Sequence, residues 1–293
     1  MSLEYRNNVN SELNLKNLSV CNKLITQNKY DFLSKGFFGE VLKVHSPDCG
    51  SVVVKKFIIN EKKMQKYKDY KEYKKAQLEQ EYNTMKMVNP LITNFICPNF
   101  IQVYGFNSSI PLIIMEYADS DSRFLFKNFS YIETSIYKTF LFQVLVSIYC
   151  FQKYTKFNHN DIKLENILCK KINPNTIFHY SIDNVDYYVP TYGYLFMLGD
   201  FGLSSKKNTF DLERLNYHTM ADYVGTLYKN YPNITLNSDE KYIIDVFIKK
   251  DLYVDNKLLL KYKKNLMNKF KSVNKTMNNY IFEINSILTV RTY

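Results

Sequence analysis

An α+β fold is expected from this 293-residue chain on three grounds. Short strand-forming runs fill the N-terminal part, at Tyr30-Asp31-Phe32, Val52-Val53-Val54 and Leu112-Ile113-Ile114-Met115. Two long segments are helical in pattern, Asn60 to Val88 and Ile136 to Tyr154. Beyond them a polar loop, His159 to Leu168, and an apolar run ending at Asp200 bring ionisable side chains into short compass.

Residues 1–28 are polar, rich in Asn and without periodicity, as in a leader lying outside a core. Tyr30 to Val41 reads as strand, turn and strand, with Gly36 and Gly39 in the turn. Pro47-Asp48-Cys49-Gly50 is a turn signal, and the strand after it delivers Lys55-Lys56. By alternation Val53 and Lys55 share one face and Lys56 takes the other. The helical pattern that follows carries Leu78, Met85 and Val88 on its apolar side and is expected to end in a turn at Asn89-Pro90. Pro111 to Ala118 is a strand entering an Asp/Ser cluster. Ile136 to Tyr154 places Phe140, Val144, Leu145, Ile148 and Phe151 at helical spacing, so a buried helix is expected there. Ile177 to Val189 reads as a hairpin turning at Asp183-Asn184, closed by Pro190. Near the C-terminus, Lys241 to Tyr293 alternates Lys with Leu, Ile and Phe at helical spacing, the pattern of helices packed with lysines outward.

Bulk properties narrow the function classes. Five cysteines, Cys21, Cys49, Cys97, Cys150 and Cys169, are scattered without a C-x-x-C pair, so neither a zinc site nor a disulfide framework is expected, and reduced thiols suit a cytoplasmic protein. The first residues lack the apolar core of a signal peptide, and Phe140 to Phe151 is far shorter than the ~20 residues needed to cross a bilayer. Net charge is +11. Acidic substrates, nucleic acid and anionic membrane would all suit that charge, but abundant Lys and Asn beside 26 Tyr and no Trp is a compositional bias that makes solvated lysines the simpler reading. No helix-turn-helix, zinc or aromatic-basic motif accompanies the charge, so sequence-specific nucleic-acid binding is not expected.

The chemistry lies in two motifs. His159-Asn160-Asp161-Ile162-Lys163-Leu164-Glu165-Asn166 holds an Asp able to accept a hydroxyl proton, a Lys able to neutralise a moving phosphoryl group, and an Asn able to hold a metal ion. Leu198-Gly199-Asp200-Phe201-Gly202 supplies a second metal-binding carboxylate. Together they resemble the H-R-D-L-x-x-x-N and D-F-G signatures of the protein kinase family, with Asn160 in place of Arg. The resemblance is strongest to the divergent Ser/Thr kinases of large nucleocytoplasmic DNA viruses, which share the His-Asn-Asp form and the Tyr-Tyr-x-Pro-x-Tyr-Gly-Tyr insert found at Tyr187 to Tyr194. By motif it covers roughly Asp31 to Leu215.

The resemblance implies a bilobal kinase fold, with a small β-rich N-lobe containing helix C (29–118) and a mostly helical, shortened C-lobe (119–293) bearing an inserted hairpin near 176–194. It assigns ATP contacts to Ser34, Gly36, Gly39 and Val41 of the glycine-rich loop, where Ser34 replaces the first Gly, and to Val53 and Lys55 of a V-A-I-K-like strand. Glu81 is the expected ion-pair partner of Lys55, because Met85 stands four residues on; Glu79 is its rival, and the long Lys55–Glu81 spacing implies an insertion within Lys62 to Lys75. Met115, Glu116 and Ala118 would form the hinge against adenine, with Asp119 or Asp121 near the ribose. Asp161 and Lys163 are the expected catalytic residues, Asn166 and Asp200 the expected Mg²⁺ ligands, and His159 a structural residue of the loop.

After Gly202 there is no Ala-Pro-Glu, and Thr209 to Leu215 resembles the start of helix F, with Asp211 as an anchor. Asn160 offers no positive charge to a phosphorylated activation loop, so activity without loop phosphorylation is expected. The implied activity is ATP- and Mg²⁺-dependent serine/threonine protein kinase, acting on viral or host proteins in the host cytoplasm or virion. A small-molecule kinase of the same fold and a pseudokinase binding module are the alternatives.

Overall fold

The computed structural model describes residues 27, 29–35, 39–46, 50–57, 70–109, 111–127, 134–182, 185–206 and 287–291. The leader, Gly36, the turn at 183–184, Asp211 and nearly all of the C-terminal segment lie outside these residues. The described chain forms two compact units: one takes the chain up to Thr93, Ile101–Tyr117 and Asp200–Ser204, the other Asn94–Phe100, Ala118–Gly199 and the chain from Ser205 on.

In the first unit an antiparallel sheet runs β1-β2-β3-β5-β4, from strands β1 (Tyr30–Lys35), β2 (Glu40–Ser46), β3 (Gly50–Lys56), β4 (Val103–Asn107) and β5 (Leu112–Glu116). Registers Val41↔Lys55, Val53↔Met115 and Lys55↔Ile113 sort the side chains onto two faces. Leu42, Val44, Val52, Val54, Leu112 and Ile114 form an apolar cluster on one, against Tyr30 and Tyr104. The opposite face carries Val41, Val53, Lys55 and Met115. The expected Val52–Val54 strand thus extends to Gly50–Lys56, with Lys55 on the face shared by Val53.

Helix α1 (Tyr70–Thr93) does not stop at Asn89-Pro90 as expected; it continues one turn past the proline. Pro90 lacks a donor, but its position in the final turn limits the loss to one helical bond. Leu91 and Ile92 are buried there, Thr93 Oγ1 donates to the Asn89 carbonyl, and the Asn89 side chain both donates to Val103 O (2.7 Å) and accepts from Val103 N–H (3.1 Å). Tertiary contacts thus outweigh the local breaker.

The second unit is built on α3 (Thr134–Thr155), which contains the expected helix; the short α2 (Ser122–Lys127) precedes it. Around α3 lie β6 (Ser120–Asp121), β7 (Phe157–Asn158), β8 (Ile167–Lys171), β9 (Ile177–Ile182), β10 (Val185–Pro190), β11 (Tyr194–Leu198), β12 (Ser205–Lys206) and β13 (Ile287–Arg291), in sheets ordered β11-β8-β6, β10-β9-β13 and β12-β7. The residues needed to make this unit mostly helical fall in 207–286, outside the described set.

The buried stripe of α3 is wider than its i, i+4 pattern suggests. Leu145 is only half-buried, whereas Phe142, Val146 and Cys150 join Phe140, Val144, Ile148 and Phe151 in the core. The β9–β10 hairpin is the reason: Phe142 packs 5.5 Å from the rings of both Tyr180 and Tyr187. Phe126 and Phe196 stand edge-on to Phe140, each with its ring centroid 5.0 Å away.

A buried polar network pins this core. Asn99 Nδ2 donates to Gln143 Oε1 and to the Phe196 carbonyl (2.8 Å each), Gln143 Nε2 donates to Tyr194 O, and Tyr180 Oη donates to Asn99 Oδ1 at 2.7 Å. The hairpin is therefore wired into the strand leading to Asp200. Tyr180→Phe removes one donor and leaves the ring, so it is expected to lower stability by about 1–3 kcal/mol, read as a reduced urea midpoint with unchanged m-value.

Candidate active site

In the first unit three ionisable side chains meet. Lys55 Nζ donates to Glu81 Oε1 and Oε2, both at 2.7 Å, and to Asp200 Oδ1 at 3.1 Å. Glu81 is 3% exposed, and α1 turns Glu79 out to solvent. Burial opposes the Lys55 charge, but the Glu81 and Asp200 carboxylates outweigh it and hold the lysine pKa above its ordinary value. Burial also pushes the Glu81 carboxyl up; Lys55 opposes that shift and the Asp200 charge adds to it. Two carboxylates on one ammonium leave a net negative cluster when all are ionised, an arrangement that favours a further cation. Asp200 takes the left-handed region at φ 56°, which a short polar side chain tolerates, and the turn Phe201–Leu203 follows it directly.

The other expected nucleotide residues are spread along the same sheet. Val53 and Met115 are buried neighbours in the β3–β5 ladder, Val41 is half-buried beside Lys55 in register, and Ser34 is exposed on β1. Gly39 has a structural reason of its own: a Cβ there would stand 2.2 Å from the Lys56 carbonyl oxygen, so only glycine allows β2 and β3 to approach as they do. Glu116 donates its backbone N–H to Gln102 O and accepts from Gln102 N–H on its carboxylate. Ala118, half-buried, belongs to the second unit, at the start of its Ala118–Gly199 stretch. The two ribose candidates have backbone duties: Asp119 accepts from Lys171 N–H, and Asp121 accepts from Phe124 N–H at the start of α2.

In the second unit the loop after β7 gathers the remaining residues. Asp161 Oδ2 accepts from Lys163 Nζ at 2.7 Å and from Asn166 Nδ2 at 2.8 Å, and Asn166 Nδ2 also reaches the Asp161 carbonyl. With its NH₂ committed to Asp161, the end of Asn166 left for a cation is its carbonyl Oδ1. His159 has both ring nitrogens occupied: Nδ1 accepts from Asp161 N–H (3.3 Å) and Nε2–H donates to Gly199 O (2.8 Å). This defines a neutral tautomer and a positioning duty. Asn160, at φ 64°, donates to Ser205 Oγ at 2.8 Å.

Sequence reasoning missed the Asn99–Gln143–Tyr180 network and the Asn160–Ser205 contact. Neither carries a local signal, since both join residues far apart in sequence. Among the described residues no group of three or more His, Cys, Asp or Glu is arranged around a metal position. A Mg²⁺ ion needs no such cage, because it takes one or two carboxylates with waters and phosphate oxygens; in the first unit Asp200 offers a carboxylate of that kind, and in the second Asn166 offers a hard carbonyl oxygen. The described cysteines, Cys97, Cys150 and Cys169, are buried thiols, and burial with the nearby Asp119 charge pushes the Cys169 thiol up to about 12, far from nucleophilic use. No described helix is long and apolar enough to cross a membrane.

Comparison with known proteins identifies the family. A probable serine/threonine-protein kinase of Invertebrate iridescent virus 6 is 31% identical over 154 residues, covering 45% of this chain and 28% of that protein. The chain thus spans well under half the length of that relative. The family model described as "Protein kinase domain" matches residues 28–247 of the 293, the stretch that holds Lys55, Glu81, Asp161, Asn166 and Asp200, and by that match the chain belongs to the protein kinase domain family.

Proposed function

We propose that this chain is an ATP- and Mg²⁺-dependent protein kinase that transfers the γ-phosphate of ATP to serine or threonine hydroxyls, with lobes at 29–118 and 119–293. The observation that carries the proposal is Asp161, whose carboxylate is oriented by Lys163 and Asn166 together. A carboxylate so held can accept the proton of an attacking hydroxyl while Lys163 offsets the charge of the transferred group. The Lys55 ammonium, fixed by Glu81, is the grip for the α and β phosphates. That ammonium contacts oxygens of Glu81 and Asp200, so a bound phosphate would compete with Asp200 for it, and Asp200 would then be available to hold a cation. Mg²⁺, when bound, supplies positive charge against the phosphate oxygens. By the family resemblance, Val41, Val53, Met115, Glu116 and Ala118 are assigned to the adenine, and Ser34, Gly36 and Gly39 to the phosphates.

Ser/Thr acceptors are supported by Lys163 and by the printed description of the viral relative, which also supports a viral setting, in the host cytoplasm or virion. The test is transfer of labelled phosphate from ATP to a mixed protein substrate, with phosphoamino-acid analysis and with sugars and choline-like acceptors in parallel. Phosphoserine or phosphothreonine in protein is the expected result. Transfer to a small acceptor alone would favour the small-molecule reading, for which the missing Ala-Pro-Glu speaks; nucleotide binding without transfer would favour a pseudokinase. Because Asn160 contributes no charge, phosphatase-treated protein is expected to keep its activity, measured against the untreated enzyme.

A further inference from the structure

The chain enters the Asp200 loop at Gly199 and leaves it at Ser205, and consecutive side chains hold these two points. His159 Nε2–H donates to the Gly199 carbonyl at 2.8 Å, and Asn160 Nδ2 donates to the Ser205 hydroxyl at 2.8 Å. Ser205 and Lys206 then pair with Asn158 and Phe157, so the exit strand is stitched to the residues just before His159. Asn160 reaches Ser205 from a left-handed backbone, φ 64°, a conformation that Asn adopts more readily than other non-glycine residues. Both partners of this contact are uncharged, so it forms without any phosphate on the loop.

We propose that Asn160 and Ser205 are a positioning pair, a neutral latch that fixes the exit of the Asp200 loop and thereby the placement of its metal-binding carboxylate. Its consequence for catalysis rests on the kinase reading above; the latch itself does not. The pair explains how a chain with Asn160 can hold this loop in one place with no charged side chain at that position. Ser205 is thus a requirement of the active arrangement.

Hydrogen exchange on the full chain tests it, with Asn160→Gly, Ser205→Ala, Ser205→Thr and the Asn160→Gly/Ser205→Ala double variant. Glycine adopts φ 64° without strain, so Asn160→Gly removes the carboxamide alone. Loss of either partner is expected to speed exchange at Ser205 and Lys206 by about tenfold. The double variant should exchange no faster than the faster single, and Ser205→Thr, which keeps the hydroxyl, should match wild type. Unchanged exchange in the single variants, additive effects in the double, or a Ser205→Thr as fast as Ser205→Ala would each overturn the latch. In parallel, Asn160→Gly should raise the Mg²⁺ concentration for half-maximal phosphotransfer and leave the KM for protein substrate unchanged. Faster exchange with an unmoved Mg²⁺ requirement would overturn the positioning role. If wild type transfers no phosphate, the kinase reading falls while the exchange result still decides the latch.

Discussion

Replacing Asp161 by asparagine is expected to slow phosphoryl transfer by about 10²- to 10⁴-fold, equivalent to about 3–5 kcal/mol of barrier. The substitution preserves volume and leaves a carboxamide where Lys163 and Asn166 now converge on Asp161 Oδ2 at 2.7 and 2.8 Å. It removes the only proton acceptor of that trio, since Lys163 is a pure donor and Asn166 has no basic group. The lost interaction is one made in the transition state, so the fall belongs in the chemical step. Nucleotide affinity should hold, because Lys55, Glu81 and Asp200 form their cluster without Asp161. Single-turnover transfer of labelled phosphate, beside a separate nucleotide-binding measurement, distinguishes the two. Transfer at the wild-type rate would remove Asp161 from the role of base; loss of nucleotide binding would show that the substitution reached further than its own loop.

Much of this geometry was legible in the sequence, and the reasons are local. Strand alternation put Lys55 on the face of Val53, and the ladder to Met115 and Ile113 keeps it there. Helical spacing selected Glu81 over Glu79, because Met85, one turn on and 1% exposed, marks the inner face of α1. Asp161, Lys163 and Asn166 lie within six residues, so one loop sufficed to bring them together. What escaped was long-range. The extension of α1 past Pro90 depends on Asn89 meeting Val103, and the half-exposure of Leu145 depends on a hairpin that covers Phe142 instead. No periodicity in α3 could announce that Gln143 would join Asn99, or that Tyr180 would reach into the same network. Such contacts are decided by which strands meet, and a pattern of apolar residues is indifferent to that.

Lys55→Met is expected to abolish phosphotransfer and also to destabilise the fold by about 3–5 kcal/mol, since it breaks a buried ion pair by removing one partner. The methionine fills the space of the aliphatic stem but leaves the Glu81 carboxylate, 3% exposed, without its cation and with Asp200 still beside it. The pH dependence gives the effect its signature. In wild type the raised Lys55 pKa means its stabilisation is complete below the unfolded-state lysine value and is lost as pH rises through the higher folded value, in the alkaline range. In the variant Glu81 controls the outcome. Burial already pushes its pKa up, and the opposing influence of Lys55 is gone, so the folded protein prefers a protonated Glu81. A raised acid pKa stabilises below the unfolded value and loses that benefit as pH rises, so the variant's deficit in urea unfolding should be smaller at about pH 5 than at about pH 8. Adding Glu81→Gln, which is neutral at both, should recover part of the loss at the higher pH and flatten the dependence. A deficit equal at both pH values, or a double variant no more stable than Lys55→Met, would mean that the lysine contributes packing alone and that the carboxylate it holds finds another partner.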